Sequence, residues 1–203
     1  MQCETDRERG LPSLPVKAIA DRQVRTMWRI VTAVLLVAGI GVSWAAPMVI
    51  VADGRARARV VVPAAASDQV SQAAKVLVAC VREASGAELP LVTEASAGDG
   101  SGGSIHIGPT LAAQAASGLP EELDDDGFVI AVEGERILIL GPTDYGTEFG
   151  VYEFLERFVG VRWLLPGEHG TDIPRQRTIV APEGRVVDQP VFMSRLFSGL
   201  RGP

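Results

Sequence analysis

The stretch GPTDYGTEFGVYEFLERFVGVRWLLPGEHGTDIP, Gly141 to Pro174, decides how this chain is read. It holds five of the eight Phe and Tyr residues and one of the three Trp, so the apolar packing of the folded part centres on it. Gly141 to Gly146 turns the chain. Thr147 to Val159 has helical spacing, with Phe149, Tyr152, Leu155 and Phe158 or Val159 along one side and Val151 and Phe154 beside them. Glu148, Glu153, Glu156 and Arg157 form its wet side. Gly160 stops the helix, and Val161 to Leu165 reads as a short strand ending at Pro166.

Upstream, Phe128–Val132 and Arg136–Leu140 are β-rich runs joined by Glu133-Gly134-Glu135, the pattern of a hairpin. Both are almost continuously apolar, which suits strands covered on both faces. Before them come a polar turn (Asp124-Asp125-Asp126-Gly127), a short helical turn over 110–117, and a strand SIHIG from Ser104 to Gly108 with His106 facing away from Ile105 and Ile107. Residues 95–103 are a Gly/Ser/Ala-rich loop. Earlier still, Arg57–Pro63 and Glu88–Thr93 read as strands. They flank a helix opened by Ser67 as N-cap, closed by Gly86, and apolar at Val70, Ala73, Ala74, Leu77, Val78 and Val81. After the opening stretch, 178–181 is a last strand, and 182–203 shows no regular element. The order implies an α+β (two-layer α/β) fold: a mixed β-sheet with two principal helices packed on one face, preceded by an N-terminal hydrophobic segment.

That segment runs from Ile30 to Ala46 behind Arg22, Arg25 and Arg29, with small residues Ser43 and Ala45 before a cleavable position. This is the pattern of a secretory signal. Met27 is an alternative start, which leaves 1–26 disordered or outside the true chain and makes 27–46 the signal. The competing reading is an uncleaved membrane anchor over 30–52, since a spanning helix needs roughly 20 apolar residues. Either way the expected location is secreted or periplasmic, or membrane-anchored if the segment stays.

The net charge is −6, so the chain lacks the basic footprint that nucleic acid requires. Cys80 lies among Val76, Leu77, Val78 and Val81 and reads as a small buried hydrophobe. The sequence has no G-x-S-x-G, H-E-x-x-H, P-loop or G-x-G-x-x-G, and only two histidines, so no catalytic residue, metal site or cofactor is assigned. Asp124–Asp126 reads as a solvated acidic turn, and Glu153 and Glu156 as surface residues. One cluster stands out: Arg162, Trp163, Glu168 and His169, on and just beyond the short strand. Trp offers a flat apolar face and Arg directed donors, which suits a sugar or protein contact. The competing reading buries Trp163 in the core and pairs Arg162 locally.

Three pieces in order carry a resemblance: Gly146-Thr147-x-x-Gly150-Val151-Tyr152-x-Phe154-Leu155-Glu156, then Gly160-Val161-Arg162-Trp163, then Pro166-Gly167-x-x-Gly170-Thr171-x-Ile173-Pro174. With the flanking strands they resemble the N-terminal domain of family 67 α-glucuronidases, a domain type related to the one that precedes the barrel of β-N-acetylhexosaminidases and of a group of uncharacterised secreted bacterial proteins. The resemblance implies a glycoside-hydrolase accessory domain over 56–182, non-catalytic, with 183–203 a linker. It further implies a (β/α)₈ catalytic barrel as partner, absent from these residues because a barrel takes about 250. Polysaccharide is the second partner implied. The alternatives are a free-standing carbohydrate-binding module and a membrane-tethered domain without a sugar role.

Overall fold

The computed structural model describes residues 46–98, 102–116, 119–167 and 170–191. The signal or anchor expected over 27–46 lies outside them except for Ala46. The chain divides into two units, Met1–Trp44 and Ala45–Pro203, and the described residues fall in the second.

The main sheet has six strands. Ala58–Val62 (β3), Leu91–Thr93 (β4), Gly103–Ile107 (β5) and Arg136–Leu140 (β7) run parallel. Phe128–Glu133 (β6) and Gly184–Asp188 (β11) complete it in antiparallel pairs, giving the order β11-β6-β7-β5-β3-β4. The sheet is therefore mixed, and the expected α+β architecture is present.

Two helices cover one face. Asp68–Ser85 (α1) begins at Ser67, whose Oγ accepts from Val70 N–H at 3.2 Å. It ends at Gly86 with φ 78°, a left-handed cap that glycine adopts without Cβ strain. Asp144–Phe154 (α3) begins three residues earlier than its apolar spacing suggests, because Thr143 caps it by accepting from Gly146 N–H at 3.1 Å. Its last turn, Leu155–Val159, widens to a π-helix and stops at Gly160, φ 79°. Gln69 of α1 donates to Glu148 of α3 at 2.7 Å. Gln176 ties the two C-terminal ends together: its backbone N–H donates to Ala84 O and its side chain to Val159 O.

The buried face of α3 differs from the expected one by a small rotation. Thr147, Gly150, Val151, Phe154, Leu155 and Val159 face the sheet, while Phe149 and Tyr152 are only half-buried. The reason is close approach. A Cβ on Gly150 would lie 2.9 Å from Ile139 Cγ2, so the glycine lets the helix backbone sit on the hairpin. Phe154, Leu155, Val151 and Val159 are fully enclosed with Leu77, Val81, Ile105, Ile130, Ile137 and Ile139. Each such side chain contributes about 1.5–3 kcal/mol through burial.

The other face of the hairpin carries a smaller cluster, Val129, Ala131, Leu138 and Leu140, under Ala113 of the short helix Leu111–Ala116 (α2) and Leu119 and Leu123. Coverage on both sides explains the unbroken apolar character of β6 and β7.

Three elements depart from the sequence reading. Met48–Ala52 (β1), the end of the apolar run proposed as an anchor over 30–52, is a strand between Ile179–Ala181 (β10) and Arg55–Ala56 (β2). Gly184–Asp188, in the stretch read as linker 183–203, is an edge strand of the main sheet. The folded unit thus extends past 56–182 at both ends. The strand expected over 161–165 shrinks to Arg162–Trp163 (β8), which leaves the main sheet and pairs with Thr171–Asp172 (β9) as a separate ribbon. No helix among the described residues is long and apolar enough to cross a membrane.

Candidate functional site

The ribbon grows directly out of α3. Val161 is fully buried and anchors its base. Beyond it the alternation of a covered strand fails: Arg162 and Trp163 are both exposed, and Leu164 and Leu165 are 69% and 72% exposed. The ribbon tip turns back through Gly170, whose carbonyl accepts from Leu164 N–H at 2.7 Å.

Trp163 is 37% exposed, so it is not the core residue of the competing reading. It packs on Tyr152 with ring centroids 5.0 Å apart and an interplanar angle of 84°. This edge-to-face geometry sets the positive edge of one ring against the negative face of the other. Burial, with Glu148 nearby and hydrogen-bonded, pushes the Tyr152 phenol above its ordinary value. Arg162 stands opposite Asp172 in the ribbon register. Glu168 and His169, the other two residues of the expected cluster, lie outside the described residues.

Tyr152 and Trp163 form one wall of a groove of about 480 Å³. Phe128, Phe149, Asp126, Glu156 and Asp188 line it further. Glu153 also lines it but is ion-paired with Arg157 on the same helix. The acidic turn at 124–126 reaches this groove because Thr143 donates to Asp125 O at 2.6 Å and Gln189 accepts from Asp124 N–H at 3.0 Å. No local pattern announces this meeting, since Asp126, Glu156 and Asp188 belong to three separate segments.

Among the described residues no three His, Cys, Asp or Glu side chains are placed to hold a metal ion. Cys80 is buried, and burial followed by Glu83 raises its thiol pKa, which leaves it a poor nucleophile. The groove brings aromatic rings and carboxylate acceptors together.

No sequence profile of a known protein family matches this chain, and no curated protein matches it. Among the solved structures that resemble it are glycoside hydrolases. The GH20 β-N-acetylhexosaminidase from Streptomyces coelicolor A3(2) is 20% identical, covering 73% of this chain and 24% of its own, with a TM-score of 0.47. The family GH115 4-O-methyl-α-glucuronidase BtGH115A is 17% identical over 70% of this chain and 18% of its own, TM-score 0.46. A GH20 exo-β-N-acetylglucosaminidase from Vibrio harveyi is 16% identical over 72% of this chain and 17% of its own, TM-score 0.41. This chain thus spans a quarter or less of the length of these enzymes.

Proposed function

We propose that the domain is the exported, non-catalytic N-terminal domain of a polysaccharide-degrading glycoside hydrolase of the α-glucuronidase type. In this reading Arg162–Pro174 docks onto a (β/α)₈ catalytic barrel. The observation that carries it is the ribbon tip: Trp163 braced edge-on by Tyr152, followed by Leu164 and Leu165 turned to solvent. Contiguous exposed apolar side chains mark contact surfaces. Branched aliphatic side chains beside the Trp favour a protein partner, because sugar platforms rely on flat ring faces. The motif resemblance over 146–174 supports the glycoside-hydrolase setting.

The test has two arms. The 203-residue chain is assayed on aryl α-glucuronides and aryl β-N-acetylhexosaminides, with no turnover expected. Leu164→Ser/Leu165→Ser is then compared with the unaltered chain for co-purification with the barrel encoded at the same locus, and loss of association is expected. Turnover by the chain alone, or undiminished association of the variant, overturns the reading. The second reading, a free-standing carbohydrate-binding module, draws on the groove between Tyr152, Trp163 and Phe149; it requires oligosaccharide binding by the purified chain that Trp163→Ala abolishes.

A further inference from the structure

Strand β11 delivers the chain into the Tyr152–Trp163 groove. Its last residue, Asp188, stands in register with Phe128 of β6, and both line the groove. Gln189 fixes the exit. Its side-chain oxygen accepts from Asp124 N–H at 3.0 Å, and its own N–H donates to Asp188 Oδ1 at 2.8 Å. Pro190, with φ held by its ring and no N–H to satisfy, follows as a lining residue. Val191, the last described residue, also lines the groove and is 90% exposed.

The groove leaves two kinds of surface unmatched. Trp163, Tyr152 and Phe149 keep ring surface in water. Asp126 and Glu156 are exposed, and neither is ion-paired with another described residue; only Glu153 has its partner, Arg157. A cleft whose charges share one sign beside apolar walls draws the opposite charge, and aromatic faces attract cations as well.

Beyond Val191 the sequence reads FMSRLFSGLRGP. Phe192, Met193, Leu196 and Phe197 are large and apolar, and Arg195 and Arg201 are basic. All 25 Asp and Glu residues of the chain precede this stretch, so it is the one cationic, aromatic run that starts at an acidic, aromatic groove. Arg195 stands four residues past Val191, a reach of about 13 Å when extended.

We propose that residues 192–197 fold back along this groove and cover it, with Arg195 against the carboxylates of Asp126 and Glu156 and the rings of Phe192 and Phe197 against Tyr152 and Trp163. Closing so short a loop costs little entropy. Tethering holds the segment at millimolar effective concentration, so contacts too weak for a free peptide are populated. The groove is then occupied by the chain itself, which takes it away from an oligosaccharide. Leu164 and Leu165 do not line it, so the inference stands apart from the docking of the ribbon on a barrel.

The test uses the full chain carrying Arg195→Lys, which keeps the charge and supplies an amine; Lys17 and Lys75 are the only other lysines. A water-soluble carbodiimide joins that amine to any carboxylate it touches, and peptide mapping locates the amide. Amides to Asp126, Glu156 or Asp188 within one chain are expected, with their yield lost at about 1 M salt, where charges are screened beyond about 3 Å. In the second arm the Trp163 indole N–H resonance, assigned by its loss in Trp163→Phe, should shift in Arg195→Glu. It should return in the double charge reversal Glu156→Arg/Arg195→Glu, which tests pairing rather than folding because Glu156 is exposed. Amides spread evenly over the groove carboxylates and the remote, exposed Glu83 and Glu88 overturn the proposal. Amides only between two chains overturn it in favour of a second copy as occupant, and a Trp163 resonance unmoved by Arg195→Glu overturns it outright.

Discussion

Trp163 meets Tyr152 edge to face, 5.0 Å between ring centroids, and this contact fastens the short ribbon β8–β9 to helix α3. The pair joins an element inside the fold to one that leaves it. Tyr152 sits one turn before the π-helical end of α3, and Trp163 sits just after the turn at Gly160. The ribbon's solvent-facing leucines are therefore presented on a braced support.

The size of that brace is measurable. An edge-to-face pair contributes about 0.5–1.5 kcal/mol beyond area burial. Trp163→Ala should lower unfolding stability by about 1–3 kcal/mol in urea denaturation while leaving the far-ultraviolet circular dichroism unchanged. A loss well above that range, with altered secondary structure, would return Trp163 to the core.

Gly146 lies where α3 starts, and a Cβ there would press on the carbonyl oxygens of Gly127 and Asp125. Both are backbone atoms and cannot rotate aside. Gly146→Ala gains about 1 kcal/mol in helix propensity but should lose about 3 kcal/mol to overpacking. The expected net loss of about 2 kcal/mol is read as a fall in the thermal midpoint. A rise in that midpoint would show that the turn at 124–127 yields freely.

His106 gives the fold a pH dependence. Burial lowers its pKa from the ordinary 6.5; Arg136 and Arg59 act the same way and Glu94 opposes them. The unfolded chain therefore binds the proton first as pH falls. The stability contributed by neutral His106 is complete above pH 6.5 and is lost as pH drops from there through the folded-state value. Carboxylates titrate over part of the same range, so the comparison is with His106→Gln. Between pH 7.5 and pH 5 the unaltered chain should lose more stability than the variant in urea denaturation; parallel losses would contradict the assignment.

Helix α1 is legible in its cap Ser67, its stop Gly86 and most of its buried stripe, with Val78 half-buried and Ala84 added; the hairpin β6–β7 and the glycine stop of α3 follow from local spacing too. Strand β1 was not, because five apolar residues at the end of a long apolar run carry no periodicity to separate them from it. Strand β11 was missed for the opposite reason. Gly184–Asp188 is mostly exposed, and only its register against β6 makes it a strand.

At the candidate site the residue types were visible and their roles were not. The sequence by itself determined the α+β class, the limits of α1, the glycine stop of α3 and the prominence of Arg162 and Trp163, since these depend on neighbours a few positions apart. Tertiary structure alone decided that Phe149 and Tyr152 stay half-buried and that Trp163 faces out against Tyr152. The Gly141–Pro174 stretch encodes its own helix and turns. Which side of that helix meets the sheet is set by backbone contacts at Gly146 and Gly150 with residues 127, 128 and 139, contacts that no local pattern contains.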